Sequence, residues 1–147
     1  MRRRSGFTLI EMMIVLAIIA ALAATLVPIA MNALNQAKVT GNLTDLESIR
    51  LAEMQYFYKK GVVTTNTGDS GLGVYLTWAN LQGANEVNYT LSVNSADDDT
   101  VVINVPFNSN PLAKAFLAQW TDSNSGDSTA DFASGDNTNI VVTYSFQ

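Results

Sequence analysis

A single carboxylate inside a long apolar run constrains this chain more than any other feature. Behind the basic stub Met1-Arg2-Arg3-Arg4-Ser5-Gly6 the sequence reads Phe7-Thr8-Leu9-Ile10-Glu11. Met12 through Ala24 then carries no polar side chain, and the run continues to Met31. The roughly 25 residues from Phe7 to Met31, at about 1.5 Å rise each, cross a bilayer with some tilt. A carboxylate in such a segment costs roughly 2.5–3.5 kcal/mol on insertion scales, so Glu11 requires a partner. The segment supplies none, because no Lys, Arg or His occurs between Arg4 and Lys38.

A cut after Gly6 would create the missing cation. Phe7 would then carry a free α-amine in the first turn of a helix, with Glu11 four residues on and on the same face. A Glu there also meets the positive end of the helix dipole. That first turn is crowded with peptide N–H groups, so the amine of a neighbouring copy is the better partner. The spacing therefore points to assembly. Two rival readings fit less well. A secretory signal peptide has an apolar core of about 7–15 residues before its cleavage site, and here Ala21-Leu22-Ala23-Ala24 is followed by more apolar sequence. An ordinary single-pass anchor accounts for the length but not for Glu11. Under every reading Arg2, Arg3 and Arg4 favour a cytoplasmic leader and an extracytoplasmic remainder.

At Gly6, Phe7, Thr8, Leu9, Ile10 and Glu11 the chain resembles the type IV pilins and the related pseudopilins, with Pro28 where that family often has a helix-loosening proline. The resemblance covers roughly the first third of the chain. It implies cleavage after Gly6 by a prepilin peptidase, N-methylation of Phe7, and polymerisation through the apolar helix, with Glu11 setting the register. The implied partners are other copies of the chain, other pilins, the inner-membrane assembly machinery, and membrane lipid before assembly. The implied location is the bacterial inner membrane and then a surface fibre. One departure is Ala20, where many relatives have Gly. The reading that follows is a pilus subunit serving motility, adhesion or DNA uptake. The alternatives are a pseudopilin of a type II secretion system and a membrane-anchored binding module that does not assemble.

Charge and composition narrow the rest. The 147 residues leave room for one domain beyond the apolar helix. Removing the three leader arginines takes the formal charge from −5 to −8, a surface that repels nucleic acid, so direct nucleic-acid binding is not expected. The absence of Cys removes disulfides and thiolate chemistry, and the absence of His removes the commonest general base and metal ligand. No nucleophile stands beside a base and no phosphate loop is present, so no enzyme and no cofactor are expected.

The predicted fold is α+β: a long N-terminal helix whose second half packs on an antiparallel sheet of three to four strands. The predicted segments are a leader at 1–6, a membrane and assembly half of the helix at 7–31, its soluble half at 32–60, and a head at 61–147. The helix is expected from Thr8 to Lys60, on the order of 80 Å, with a kink at Pro28 that would let a fibre stretch. Val39, Leu43, Leu46, Met54 and Phe57 fall on one stripe, with Ile49 beside it and Arg50 and Glu53 at its border. Asn42, Asp45, Ser48 and Gln55 are expected elsewhere on the cylinder. Lys59-Lys60 and Gly61 mark its end. A loop follows to Gly73, then a short helix ending at Gly83, or alternatively a strand, over 76–82. Strands are expected at 87–94 and 100–106 as a hairpin, a helix after the Asn110-Pro111 cap with Leu112, Phe116 and Trp120 inward, a polar loop at 121–138, and a strand at 139–146. That last strand stands in for the missing disulfide as the lock on the C-terminus.

Several weaker patterns remain. Asp97 and Asp99, with Asp98 between them, and Asp122 and Asp127 offer oxygens of the kind Ca²⁺ takes. A solvated hairpin tip explains the first set, and the second lacks a closing Glu for an EF-hand loop. The Asp-Pro-Trp-Gly stretch of calcium-binding major pseudopilins is also absent. Tyr56-Phe57-Tyr58 reads as packing rather than an electron path. Asn42-Leu43-Thr44 and Asn88-Tyr89-Thr90 match the N-glycosylation pattern, but both fall inside predicted regular structure.

Overall fold

In a computed structural model, residues 6–79, 81, 87–94, 99–107, 109–123, 128–133 and 138–146 are described, without the side chains of 121–123. Helix α1 runs Leu9–Lys60, 52 residues through Pro28 without interruption. A single 3₁₀ turn occupies Leu72–Val74, and Trp78, Ala79 and Leu81 are helical. Strands β1 (Thr90–Val93) and β2 (Thr100–Pro106), helix α2 (Asn110–Ser123), and strands β3 (Ser128–Phe132) and β4 (Asn139–Ser145) follow. The chain divides into two compact units, residues 1–36 and 37–147.

In the first unit every described side chain from Phe7 to Leu34 is exposed. Thr25 Oγ1 donates to the Leu22 carbonyl at 2.9 Å, a local bond in the turn ahead of Pro28.

The second unit is built on period two. The four strands are antiparallel in the order β1-β2-β4-β3. Their register aligns Leu91, Ile103, Val142 and Ala130 in one row across the sheet, and Val93, Val101, Tyr144 and Ser128 in another. Because successive residues face opposite sides, these rows share the face that meets α1 and α2. Val39, Leu46 and Ile49 of α1, Ala113, Phe116 and Trp120 of α2, and Val101, Ile103, Val105, Ile140 and Val142 of the sheet form one core. An aromatic chain runs through it: Phe107–Phe116 at 5.2 Å, then Phe116–Trp120 and Trp120–Tyr144 at 5.8 Å each between ring centroids. Phe57 of the aromatic triplet stacks on Phe146 at 5.9 Å.

The α+β class, β2, β4 and the long helix match expectation, and four departures have physical causes. β1 begins at Thr90 rather than near Val87, although Val87 and Tyr89 keep the alternating burial. The expected loop at 121–138 contains the end of α2 and the whole of β3. β3 escapes recognition because Phe132 is the only large apolar residue on its inner face. Helix α2 opens one residue early, with Ala113 N donating to the Ser109 carbonyl at 3.2 Å. On α1, Asn42 and Glu53 lie inside the core at 2% and 0% exposure, not beside it. β4 is central, paired with β2 on one side and β3 on the other, and Phe146 N adds a bond to the Asp99 carbonyl at 2.9 Å. The C-terminus is thus held by two ladders.

Candidate functional site

The N-terminus of α1 is closed by its own side chains. Glu11 Oε2 accepts from Thr8 N at 2.8 Å and from Thr8 Oγ1 at 2.7 Å, while Glu11 N approaches Thr8 Oγ1 at 3.4 Å. This is a capping box, in which residue N3 returns to the amide of the cap. The Thr8-Leu9-Ile10-Glu11 spacing is itself the signal for it. Part of the carboxylate's need is thus met within one turn, beside the positive helix end. Its other oxygen takes no hydrogen bond among the described residues. Gly6 and Phe7 precede the helix and both are exposed, Phe7 at 81%, so the peptide bond between them lies outside regular structure.

Beyond Glu11 the helix is apolar on all sides and long enough to span a bilayer. A helix of that kind needs lipid or other apolar helices around it. Among the described residues the large side chains from Leu9 to Leu34 are roughly half to four-fifths exposed.

The second unit holds a carboxyl of the opposite kind. Glu53 is buried, with Oε2 accepting from Thr64 N at 3.3 Å and Oε1 without a partner. Burial pushes its pKa up to about 7, against the lowering effect of the Thr64 N–H. Nearby, Tyr89 Oη lies 3.1 Å from Asn42 Oδ1 and 3.0 Å from Asp45 Oδ2, which accounts for the burial of Asn42. Periodicity places Glu53 at the border of the apolar stripe and Asn42 off it, because the groups that enclose them come from segments remote in sequence. A groove of about 290 Å³ is lined by Thr40, Thr44, Glu47 and Arg50 of α1 and by Trp120, with the Arg50 guanidinium 5.7 Å from the Tyr144 ring centre.

The acidic candidates do not converge among the described residues, where no three potential metal ligands gather. Asp99 Oδ1 accepts from Thr100 Oγ1 at 3.2 Å. Asp97 and Asp127 lie outside the described residues, and Asp122 falls in the last turn of α2 with its side chain undescribed.

Comparison with known proteins bears on the N-terminal segment. Residues 1–27 match the family model described as the prokaryotic N-terminal methylation motif. Over 55 residues the chain is 47% identical to the type II secretion system core protein G of Pseudomonas aeruginosa, a stretch covering 37% of this chain and 39% of that protein. The chain therefore spans about two-fifths of that relative's length. No solved structure matches it significantly.

Proposed function

We propose, from the likeness of its N-terminal segment to the type IV pilins and pseudopilins, that this chain is a structural fibre subunit, most like a subunit of a type IV pilus. The precursor waits in the inner membrane with its leader cytoplasmic and its head outside. The prepilin peptidase cuts between Gly6 and Phe7, Phe7 is methylated, and the apolar half of α1 passes from lipid into a fibre core of like helices. Glu11 sets the register there: Thr8 satisfies one carboxylate oxygen and the Phe7 amine of an adjacent subunit meets the other, so a misplaced subunit buries an unpaired charge. Pro28 supplies the loosened turn through which such a fibre stretches.

The observation that carries this reading is an apolar half-helix exposed along its described length, opening on a carboxylate with one oxygen unused among the described residues. Mass spectrometry of sheared surface filaments tests it. A mature N-terminus at methylated Phe7, with this chain abundant in the filaments, is the expected result, and a retained Met1 leader overturns it. The likeness to a secretion protein favours a second reading, a pseudopilin of a type II secretion system. That reading predicts the same mature N-terminus in cell envelopes, with loss of secretion and no long filaments.

A further inference from the structure

We propose that Asn88 is an acceptor for an N-linked glycan. Two segments carry the acceptor pattern, Asn42-Leu43-Thr44 and Asn88-Tyr89-Thr90, and the fold separates them. Asn42 lies in the middle of α1 at 2% exposure with its side chain against the Tyr89 hydroxyl, so its amide is closed to any enzyme. Asn88 is exposed and precedes the first ladder residue of β1, so its backbone lies outside the sheet. No hydrogen bond occupies its amide among the described residues.

Tyr89 presents the acceptor. It is 1% exposed and tied to Asn42 and Asp45 of α1. Period two then turns Asn88 and Thr90 together to the solvent side, and both are exposed. Acceptor and hydroxyl residue thus share one open face, pinned by the buried ring between them. The same residue that seals the first pattern displays the second.

In the transfer, the Asn88 amide nitrogen loses one proton and forms a C–N bond to the anomeric carbon of the first sugar. The C–O bond from that carbon to phosphate breaks, and the pyrophosphoryl lipid of a lipid-linked oligosaccharide donor leaves with the electron pair. The modification rests on the extracytoplasmic head of the proposed function, where such donors are used. It also has a structural consequence. β1 is a sheet edge, and edges template unwanted pairing unless covered; a hydrophilic chain beside Thr90 covers this one.

Peptide mass spectrometry of the full chain, taken from cells that make it, reads the mass at Asn88 and the N-terminus together. A sugar increment on Asn88, none on Asn42, lost in Thr90→Ala and kept in Thr90→Ser, is the expected pattern. Bare Asn88, or an increment that persists in Thr90→Ala, overturns the assignment. The terminus reports separately on the premise. Bare Asn88 with Phe7 first removes the glycan alone, bare Asn88 with Met1 retained removes both readings, and a glycan with Met1 retained keeps the acceptor and removes the processing.

Discussion

The two halves of α1 share one continuous backbone and differ in what they ask of their surroundings. Up to Leu34 the helix exposes every described side chain, while beyond it Val39, Leu46 and Ile49 are sealed in one core with the sheet and α2. Each half also carries one carboxyl in an awkward place. Glu11 stands at an open helix end with one oxygen bonded locally and the other unused. Glu53 is enclosed, and its unpartnered oxygen has nowhere to turn. A charge that awaits a partner from outside is an instruction for assembly. A charge that has already been shut in is a cost to the fold.

Separate changes should therefore damage the halves separately. Phe116→Ala removes a fully buried ring at the junction of Phe107 and Trp120. Core Phe truncations cost about 3–5 kcal/mol, a large part of what a domain this size has to spare. Proteolysis of the chain in membrane vesicles with the head outside should digest residues 37–147 readily while leaving the apolar segment membrane-inserted. If insertion fails as well, the halves are not independent in the way their burial implies.

Glu11→Ala is the converse. The head should melt unchanged and the chain should remain in the membrane, while fibre yield falls. Truncating one partner of a buried charge pair costs about 2–5 kcal/mol per contact, on the order of thirtyfold or more in subunit affinity. Glu11→Val separates polarity from pairing: it relieves insertion without restoring the partner, so its yield should stay low. Filaments at normal yield from either variant would remove the register role.

Glu53→Gln tests the enclosed carboxyl. Its pKa is raised from 4.5 to about 7 in the folded chain, so the folded state resists ionisation that the unfolded state accepts. Below pH 4.5 both states are protonated and there is no penalty. Between about pH 4.5 and 7 the penalty grows, and above 7 it is complete, on the order of 3 kcal/mol. The variant should therefore match the parent in urea melts at pH 4 and exceed it by that margin at pH 8. A difference independent of pH would mean the carboxyl is solvated after all.

How much of this was readable from the sequence varies with the distance over which each feature is decided. β2 and β4 are legible because Val101, Ile103, Val105 and Ile140, Val142, Tyr144 alternate within a single strand. β3 is not, since Ser128 and Ala130 owe their inward position to pairing with β4. Asn42 reads as a solvated helix residue until Tyr89, 47 residues on, reaches it. Glu53 reads as a border charge until the chain beyond Gly61 folds back and offers Thr64 N. At the N-terminus the partner inside the turn is legible as Thr8-x-x-Glu11. Alternation alone extends the strand to Asn88, whereas the ladder begins at Thr90.

The smallest expected effect concerns where the second half of α1 ends. Gly61 sits at φ +74°, a left-handed conformation, with its N–H donating to the Phe57 carbonyl at 2.7 Å as a C-terminal cap. A Cβ there meets nothing within 4 Å, so substitution carries no clash and tests the backbone alone. Gly61→Ala should cost about 1 kcal/mol, and Gly61→Asn less than half of that, because Asn tolerates this conformation. Neither should alter fibre yield beyond what head stability accounts for, since the stop lies in the half that is already covered. Equal losses for Ala and Asn would show that tolerance of the left-handed turn is not what this position selects for. The termination of α1 would then rest on the hydrogen bonds of the following loop, where Asn66 accepts from Gly68 N through Oδ1 at 2.9 Å and from Leu72 N through its carbonyl at 2.8 Å.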